Sequence, residues 1–316
     1  MSLGHNHYRR YLRSGLRKHR NRARTFAALA LLACLPAHAH THTHTHTHTH
    51  APHRTTVVWH DDFGGDQPRW TDWSRCAQPW EDKLSQCSAL VSGSGEEVFW
   101  NPALLGGGRD PVVRGAEGGI MLLARPMTDT ERALLDREMA RQKDLQPRYR
   151  DALANARWTS AWMQTRPSFA IGTTVSAMIR PGAGASSWDG LWMLNDPAHR
   201  RWPPEIDVAE VTNEPDGRMH VRQVIHYRDE TGQFRTAGCP IAVIPRDWIT
   251  VSVTRLAGQI RFGLNGVERC RIPAPPGFGD PMNLILSEQV GGLAAHTDAT
   301  TVPFGLEVRW VKVTRP

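Results

Sequence analysis

Residues 202–211 read Trp-Pro-Pro-Glu-Ile-Asp-Val-Ala-Glu-Val, a pattern of acids and β-branched residues that predicts a strand. Residues two apart in a strand share a face, so Glu205 and Asp207 lie on one side of the sheet. Strict alternation would turn Glu210 into the core, where an unpaired carboxylate is costly. A single β-bulge at residues 208–209 returns Glu210 to the acidic face. We therefore expect a bulged strand that carries three carboxylates on one face.

Three neighbouring carboxylates repel one another, so one of them should keep its proton at neutral pH. Retaining hydrolysis of a glycosidic bond needs such a set. One carboxylate attacks the anomeric carbon while a protonated one, about 5 to 5.5 Å away, donates to the leaving oxygen. A solvent-facing acidic strand and a calcium site are the alternatives that the pattern leaves open.

The rest of the chain alternates short apolar runs with turn residues, which is typical of an all-β sandwich or jelly roll. Asn265-Gly266 between two such runs is the signature of a tight hairpin. We therefore predict an all-β fold. The predicted strands cover residues 56–59, 120–124, 173–179, 190–194, 205–211, 219–226, 248–255, 259–264, 282–286 and 306–313.

Residues 129–156 interrupt the strand pattern because they are rich in Glu, Arg, Leu, Met and Ala. This composition predicts a small helical insertion of one or two surface helices, capped at Asp129 or Thr130 and interrupted by Pro147. A lid over a binding site and a solvated decoration are both open as its role.

The 316 residues include 38 Lys or Arg and 31 Asp or Glu, a formal net charge of +7. Residues 1–39 hold eight of the cations and no acid, so the remainder has 30 against 31, a net charge of −1. A nucleic-acid binder needs its cations on the folded surface. We therefore expect no nucleic-acid partner.

Residues 1–39 have the parts of a secretory signal peptide: a cationic start, an apolar run at 25–36 and Ala37-His38-Ala39 as the cleavage site. The apolar run is too short to cross a bilayer as a helix, and we expect no membrane span. A twin-arginine signal at Arg9-Arg10 and lipidation at Cys34 are alternatives. The sequence predicts a secreted or periplasmic protein.

His and Thr alternate without a break over residues 40–50. Imidazoles are good ligands for Zn, Cu or Ni, so a metal-scavenging tail is one interpretation and a flexible linker is the other. We favour a linker over residues 40–56. It would lead into one domain over residues 57–316 that contains the helical insertion.

Four cysteines follow the leader: Cys76, Cys87, Cys239 and Cys270. An even number suits disulfide bonds in an oxidising compartment, and four cysteines permit three pairings. The sequence-local choice is Cys76 with Cys87 and Cys239 with Cys270. No C-x-x-C spacing is present, so we expect no zinc site from these cysteines.

The acidic strand resembles the active-site strand of glycoside hydrolase family sixteen, in its laminarinase-like and agarase-like branches with the bulged spacing. Further similarity lies at residues 58–63, 188–194, 247–248, 259–268 and 282–292, so the resemblance spans most of the chain after the leader. It implies a β-jelly roll of two antiparallel sheets with a concave substrate cleft. It also implies that Glu205 is the nucleophile, Glu210 the general acid/base and Asp207 the helper that tunes the nucleophile.

The same resemblance implies the residues that bind substrate. Trp202 would floor the subsite beside the cleaved bond, and Trp188, Trp192 and His226 would line the cleft. A core position is an equal alternative for Trp192, and an exposed loop edge is the alternative for His226. The twelve tryptophans, against four tyrosines, fit a carbohydrate ligand because the C–H face of a sugar stacks on an indole.

The chain departs from its relatives at Ile171-Gly172, at residues 176–178, and at Ser287-Glu288-Gln289, where an Asn is usual. Because these positions lie in or beside the cleft wall in relatives, they bear on the identity of the substrate more than on the chemistry.

We therefore expect an exported, endo-acting, retaining hydrolase of polysaccharide, with β-1,3 or mixed β-1,3/1,4 glucan as substrate. A transglycosylase and an agarase-like or exopolysaccharide hydrolase are alternatives on the same scaffold. A glycan-binding protein without turnover and a His-rich metal-binding periplasmic protein are alternatives of another class. We expect a monomer that needs no cofactor for catalysis. A structural calcium ion, frequent in the family, has no assignable ligands here.

Overall fold

The computed structural model describes residues 55–64, 67–76, 96–213, 217–291 and 303–315, which form two sheets with one main core between them. The predicted all-β jelly-roll fold is confirmed. The leader, the His/Thr tract and Cys87 lie outside the described residues, so the predictions made for them stay predictions.

The eight-stranded sheet, here called the site sheet, contains the acidic strand. With strands numbered along the chain, it consists of β2 (Trp73–Ser74), β7 (Trp162–Thr165), β9 (Ser187–Asn195), β10 (Glu205–Asn213), β11 (Met219–Arg228), β12 (Phe234–Gly238), β13 (Ala242–Ile244) and β17 (Met282–Val290). Their order is β12-β11-β10-β9-β17-β7-β2, with β13 beside β11. The acidic strand β10 therefore lies between β9 and β11, away from the sheet edges.

The ten-stranded sheet packs on the other side of the core. It consists of β1 (Thr56–Asp61), β3 (Glu97–Phe99), β4 (Val112–Arg114), β5 (Ile120–Pro126), β6 (Trp158–Ser160), β8 (Thr174–Arg180), β14 (Ile249–Leu256), β15 (Gln259–Leu264), β16 (Val267–Pro273) and β18 (Phe304–Arg315). The order is β16-β15-β14-β8-β18-β5-β6-β3, with β1 on β18 and β4 on β5. The named strands pair antiparallel except β3 with β6, which are parallel.

Each of the ten predicted strands coincides with an observed strand to within a few residues at its ends. The hairpin between β15 and β16 turns at Asn265 and Gly266, whose φ angles are +50° and +77°. Both central residues of this turn need positive φ, which Asn and Gly tolerate best, so the predicted hairpin is confirmed.

The main core is built from residues that alternate along the strands. In β8 and β14 every second residue is buried, as expected for strands with one face on a core. Strands β9, β10 and β17 supply the facing apolar layer from the site sheet. The side chains that meet include Val175, Ala177, Val251, Val253, Leu191, Met193, Ile206, Leu284 and Leu286.

Three α-helices lie in the described part of the chain: α1 (Pro102–Leu105), α2 (Asp129–Arg141) and α3 (Pro147–Asn155). The predicted cap of α2 at Asp129 or Thr130 is wrong, because Thr128 is the N-cap. Its hydroxyl accepts from the Glu131 N–H, and the Glu131 carboxylate accepts from the Thr128 N–H. This reciprocal capping box satisfies two helix-end donors at once, which fixes the start one residue earlier.

The helices and the segment that precedes them form a second, smaller apolar cluster, here called the helical cluster. Its buried members are Val98, Trp100, Leu105, Leu135, Met139, Leu145, Leu153 and Ala156. Glu131 fastens α2 to the preceding loop through a 2.7 Å ion pair with Arg109, and this pairing helps to lower the pKa of Glu131 to about 2 although burial opposes it. The insertion is therefore packed on the domain through β3 and α1.

A disulfide joins Cys239 to Cys270, as predicted, with Cα atoms 5.6 Å apart. It links the chain after β12 to strand β16. The second predicted pair, Cys76 with Cys87, stays a prediction because Cys87 lies outside the described residues. Among the described residues no helix is both long and apolar enough to span a membrane.

Candidate active site

Strand β10 carries the three predicted carboxylates on the face of the site sheet opposite the main core, here called the cleft face. Between Asp207 and Glu210 its register slips by one residue against both β9 and β11. At the slip, Val208 and Ala209 both pack into the core. The extra residue brings Glu210 back to the face of Glu205 and Asp207, so the predicted β-bulge is confirmed.

Glu205 begins β10 and is the most accessible of the three acids. The indole N–H of Trp202 donates a hydrogen bond of 2.9 Å to Glu205 Oε2. Burial raises the pKa of Glu205 to about 8, and the Asp207 carboxylate adds to the rise. His226 and the Trp202 N–H oppose it. The indole donor therefore favours the ionised form of this carboxyl group.

Asp207 is only 4 % exposed and lies against His226 of β11. His226 Nε2 is 3.2 Å from Asp207 Oδ2 and 3.9 Å from Glu205 Oε1, and the Thr236 hydroxyl contacts its Nδ1 at 2.9 Å. Burial raises the pKa of Asp207 to about 8. His226 is itself buried, so it stands beside the acids and not at an exposed loop edge.

Glu210 is 6 % exposed and lies opposite Arg222 on β11 and Gly190 on β9. Burial raises the pKa of Glu210 to about 8, and Asp207 raises it further. His226, Arg222 and the nearby Trp188 indole act in the other direction. The Trp188 N–H does not reach good hydrogen-bond geometry in this structure. Trp188 is thus placed beside Glu210, at the other end of the site from Trp202.

Phe234 of β12 is a site residue that the sequence reasoning missed. Its ring stacks on Trp202, with centroids 5.4 Å apart, and on His226, with centroids 5.6 Å apart. The stack holds Trp202 where its N–H reaches Glu205, while the indole stays 49 % exposed. The only sequence signal was a lone aromatic residue in a short polar strand after His226.

Trp192 lies on β9 opposite Asp207 and is half-buried. Its ring meets Trp162 edge to face, with centroids 4.9 Å apart, and its N–H donates to the Ser287 hydroxyl at 3.1 Å. Trp192 is therefore partly packed against other side chains and partly exposed on the cleft face. This position lies between the cleft-lining and core positions that the sequence left open.

Glu205, Asp207 and His226 form a group with the donor atoms of a metal site. One ligand atom from each lies within 4.8 Å of the others. No other group of three such residues occurs in the described part of the chain. The prediction that catalysis needs no metal stays a prediction.

The arrangement can hold a proton on one carboxyl group and a negative charge on another. Glu205 has its own N–H donor, and Glu210 lies across the bulge beside Arg222 and Trp188. Interacting carboxyl groups of this kind ionise one after another as the pH rises. The site therefore has the parts for two-carboxylate chemistry beside an exposed aromatic platform.

No protein-family model matches the chain, and no curated protein is significantly similar to it in sequence. Solved structures are similar in fold. LamA of Zobellia galactanivorans, in complex with laminaritriose and laminaritetraose, has 14 % identity and a TM-score of 0.62. The match covers 82 % of this chain and 99 % of that one.

Two further solved structures are similar to this chain in fold. SCLam, a non-specific endo-β-1,3(4)-glucanase of family GH16, has 18 % identity and a TM-score of 0.58 over 84 % of this chain and 92 % of that one. The endo-β-1,3-glucanase of Pyrococcus furiosus has 20 % identity and a TM-score of 0.58 over 82 % and 94 %. The chain therefore has the fold of the family-sixteen endo-β-glucanases.

Proposed function

We propose that the protein is an exported, endo-acting, retaining β-glycanase of glycoside hydrolase family sixteen. The observation that carries the proposal is the bulged strand β10, which places Glu205, Asp207 and Glu210 on one face beside the exposed Trp202. A glycan-binding protein would need no second buried carboxyl group across a bulge. The fold shared with endo-β-glucanases supports the same reading.

In the first step Glu205 attacks the anomeric carbon as a carboxylate. The bond from this carbon to the glycosidic oxygen breaks, and protonated Glu210 gives its proton to the departing oxygen. The product is a covalent glycosyl ester on Glu205. The Trp202 N–H supports this division of roles because it stabilises charge on Glu205 before the attack.

In the second step Glu210, now a carboxylate, takes a proton from a water molecule as the water attacks the same carbon. The ester bond breaks, Glu205 leaves as a carboxylate, and the sugar keeps its original anomeric configuration. Asp207 and His226 act through Glu205. The Asp207 carboxylate adds to the effect of burial in raising the pKa of Glu205, whereas His226, whose Nε2 lies 3.9 Å from Glu205 and 3.2 Å from Asp207, favours the ionised form of Glu205.

We propose β-1,3 or mixed β-1,3/1,4 glucan as substrate. Support comes from the similar structures, which include an endo-β-1,3-glucanase and a complex with laminari-oligosaccharides. Export is supported by the leader at residues 1–39 and by the Cys239–Cys270 disulfide, a bond typical of oxidising compartments.

The experiment is a panel of laminarin, lichenan, agarose and carrageenan, assayed for reducing-sugar release with the purified mature chain. Proton NMR of the first products reports their anomeric configuration. We expect cleavage of laminarin or lichenan with retention of configuration. Inversion would contradict the roles given to Glu205 and Glu210, and inactivity on all four glycans would contradict the proposed function.

A further inference from the structure

The cleft face of the site sheet is open over one half and covered over the other. Over β10, β11 and β12, the side chains of Glu205, Val224 and Phe234 are partly exposed, and Trp202 stands beside them. Over β17 and β7, the residues that register places on the same face are all buried. They are Asn283, Ile285, Ser287 and Gln289 on β17, and Trp162 and Gln164 on β7.

Phe99 of strand β3 covers this half. Its ring packs on Trp162, with centroids 5.6 Å apart, and both side chains cluster with Ile285. Neighbouring residues of a strand point to opposite sides, and here Val98 lies in the helical cluster while Phe99 lies on the site sheet. Strand β3 is therefore held between the helical insertion and the cleft face. We call this barrier the Phe99–Trp162 wall.

Trp192 marks the boundary between the open and covered halves. It lies on β9, one strand away from the acids, and its half-buried ring leans edge to face on Trp162 of the wall. On the next strand, Ser287 accepts the Trp192 N–H and is fully buried. The accessible cleft face thus ends at Trp192 on this side.

The direction of a bound glycan follows from the acids. The nucleophile and the acid flank the scissile bond, and both lie along β10, so the glycan crosses the strands. Neighbouring strands are about 4.8 Å apart, so the distance from β10 to β17 is about 10 Å. A distance of about 10 Å accommodates two sugar rings. The ring with the reacting carbon lies over β10, and the next ring lies over Trp192, directly before the Phe99–Trp162 wall.

We propose that the Phe99–Trp162 wall ends the cleft, so that at most two sugar rings on the β17 side of the scissile bond contribute to binding. Longer glycans gain further contacts only over β11 and β12. Strand β3, whose Phe99 forms the wall with Trp162, thereby limits the length of glycan that the enzyme binds on this side. This inference rests on the proposed function and deepens it.

The test uses a series of reducing-end-labelled oligosaccharides, from disaccharide to octasaccharide, of the glycan that the panel shows to be cleaved. The position of each cut and its kcat/KM give the contribution of every sugar on either side of the scissile bond. We expect that, on one side of the scissile bond, adding a third sugar leaves kcat/KM unchanged. On the other side, a third sugar that stacks should raise kcat/KM by about ten-fold.

A gain from the third sugar on both sides would overturn the inference and leave the proposed function intact. No cleavage of any member of the series would overturn both. These outcomes need only the native chain, so they stand even if a variant fails to fold.

A matched pair of variants assigns the effect to the wall. Phe99→Ala removes the ring that covers Trp162, and Val98→Ala removes the neighbouring buried side chain from the helical cluster. We expect Phe99→Ala, but not Val98→Ala, to gain a contribution from the third sugar on the closed side. The same gain in both variants, or in neither, would contradict the role given to Phe99.

Discussion

The site sheet carries two groups of neighbouring carboxyl groups on opposite faces. Glu205, Asp207 and Glu210 lie on the cleft face, whereas Asp189 and Glu288 lie directly opposite each other on β9 and β17 and point toward the core. Burial raises the pKa of every one of these groups, to about 6 for Asp189 and to about 8 for each cleft acid. For Glu288 the pKa is also raised, with the Asp189 carboxylate adding to the effect of burial.

The two groups differ in access and in partners. Asp189 and Glu288 are at most 1 % exposed and share the Ser187 hydroxyl, which lies 3.3 Å from one carboxyl and 3.0 Å from the other. The cleft acids share His226, but Glu205 alone accepts from the Trp202 N–H, and Arg222 and Trp188 lie beside Glu210, so different acids can hold charge and proton. A raised pKa is therefore shared by the core pair, Asp189 and Glu288, and by the proposed catalytic set. Access and distinct donors tell them apart.

The largest expected effect is on catalysis by the cleft acids. Glu205→Gln should lower kcat by about 10⁴-fold or more, because the covalent step is lost. Glu210→Gln should lower it by about 10² to 10⁴-fold, the usual contribution of a general acid. Steady-state kinetics on the cleaved glycan measure both. Thermal unfolding serves as the control for folding, and near-native kcat in either variant would contradict the assigned roles.

The next effect concerns the donor to Glu205. Trp202→Phe keeps an aromatic platform on Phe234 but removes the N–H that lies 2.9 Å from the carboxylate. Hydrogen bonds to charged groups contribute about 1.5 to 3 kcal/mol, so without the donor a smaller fraction of Glu205 is ionised, and kcat/KM at pH values below the acid limb should fall by about ten- to one-hundred-fold. Because the donor favours the ionised form, its loss should also raise the pKa of Glu205 and move the acid limb of the pH–kcat/KM profile upward. An unchanged acid limb would show that the N–H does not act on Glu205.

The core pair should affect stability and not catalysis. Between the pKa of Asp189 in the unfolded chain and its value of about 6 in the folded chain, the unfolded state binds fewer protons. The free energy of unfolding therefore falls as the pH rises through this window. Glu288→Gln replaces one carboxyl group of the core pair by a neutral amide, so Asp189 and residue 288 no longer have to share a proton. Because burial and the Asp189 carboxylate raise the pKa of Glu288, this variant should be more stable than the native chain at about pH 8.

Urea unfolding at several pH values measures this effect, and kcat is the control. Equal slopes of stability against pH in the native chain and Glu288→Gln would show that the pair ionises freely. A large loss of kcat would contradict the contrast between the two groups.

The smallest expected effect is that of the His/Thr tract. Removal of residues 40–53 should leave kcat and KM unchanged, because the cleft acids and their partners all lie beyond this tract. The shortened chain and the full mature chain are compared on the same glycan. Loss of the main activity would favour the metal-binding alternative.

Local patterns of the sequence predicted most of the fold. Alternation and turn residues located the strands and the hairpin at Asn265, and the cost of burying Glu210 located the bulge. These features depend on residues within a few positions of one another. The helix cap was missed by one residue because the Thr128 signal lies outside the apolar pattern.

Contacts between residues that are far apart in the sequence could not be predicted from local patterns. Phe99 meets Trp162 through a three-residue strand whose parallel partner, β6, lies about sixty residues further on. Asp189 and Glu288 are 99 residues apart in the chain. The sequence around either residue therefore does not show that the two side chains meet. No local periodicity encodes such neighbours, since only the sheet order brings them together.

In the proposed mechanism Glu205 forms a covalent bond with the sugar. This step is tested most directly by incubation with an activated 2-deoxy-2-fluoro glycoside of the cleaved glycan, followed by mass spectrometry of peptides. We expect one added glycosyl group on Glu205 and none in Glu205→Gln. A label on another residue, or cleavage of the native substrate with inversion and no label, would contradict it.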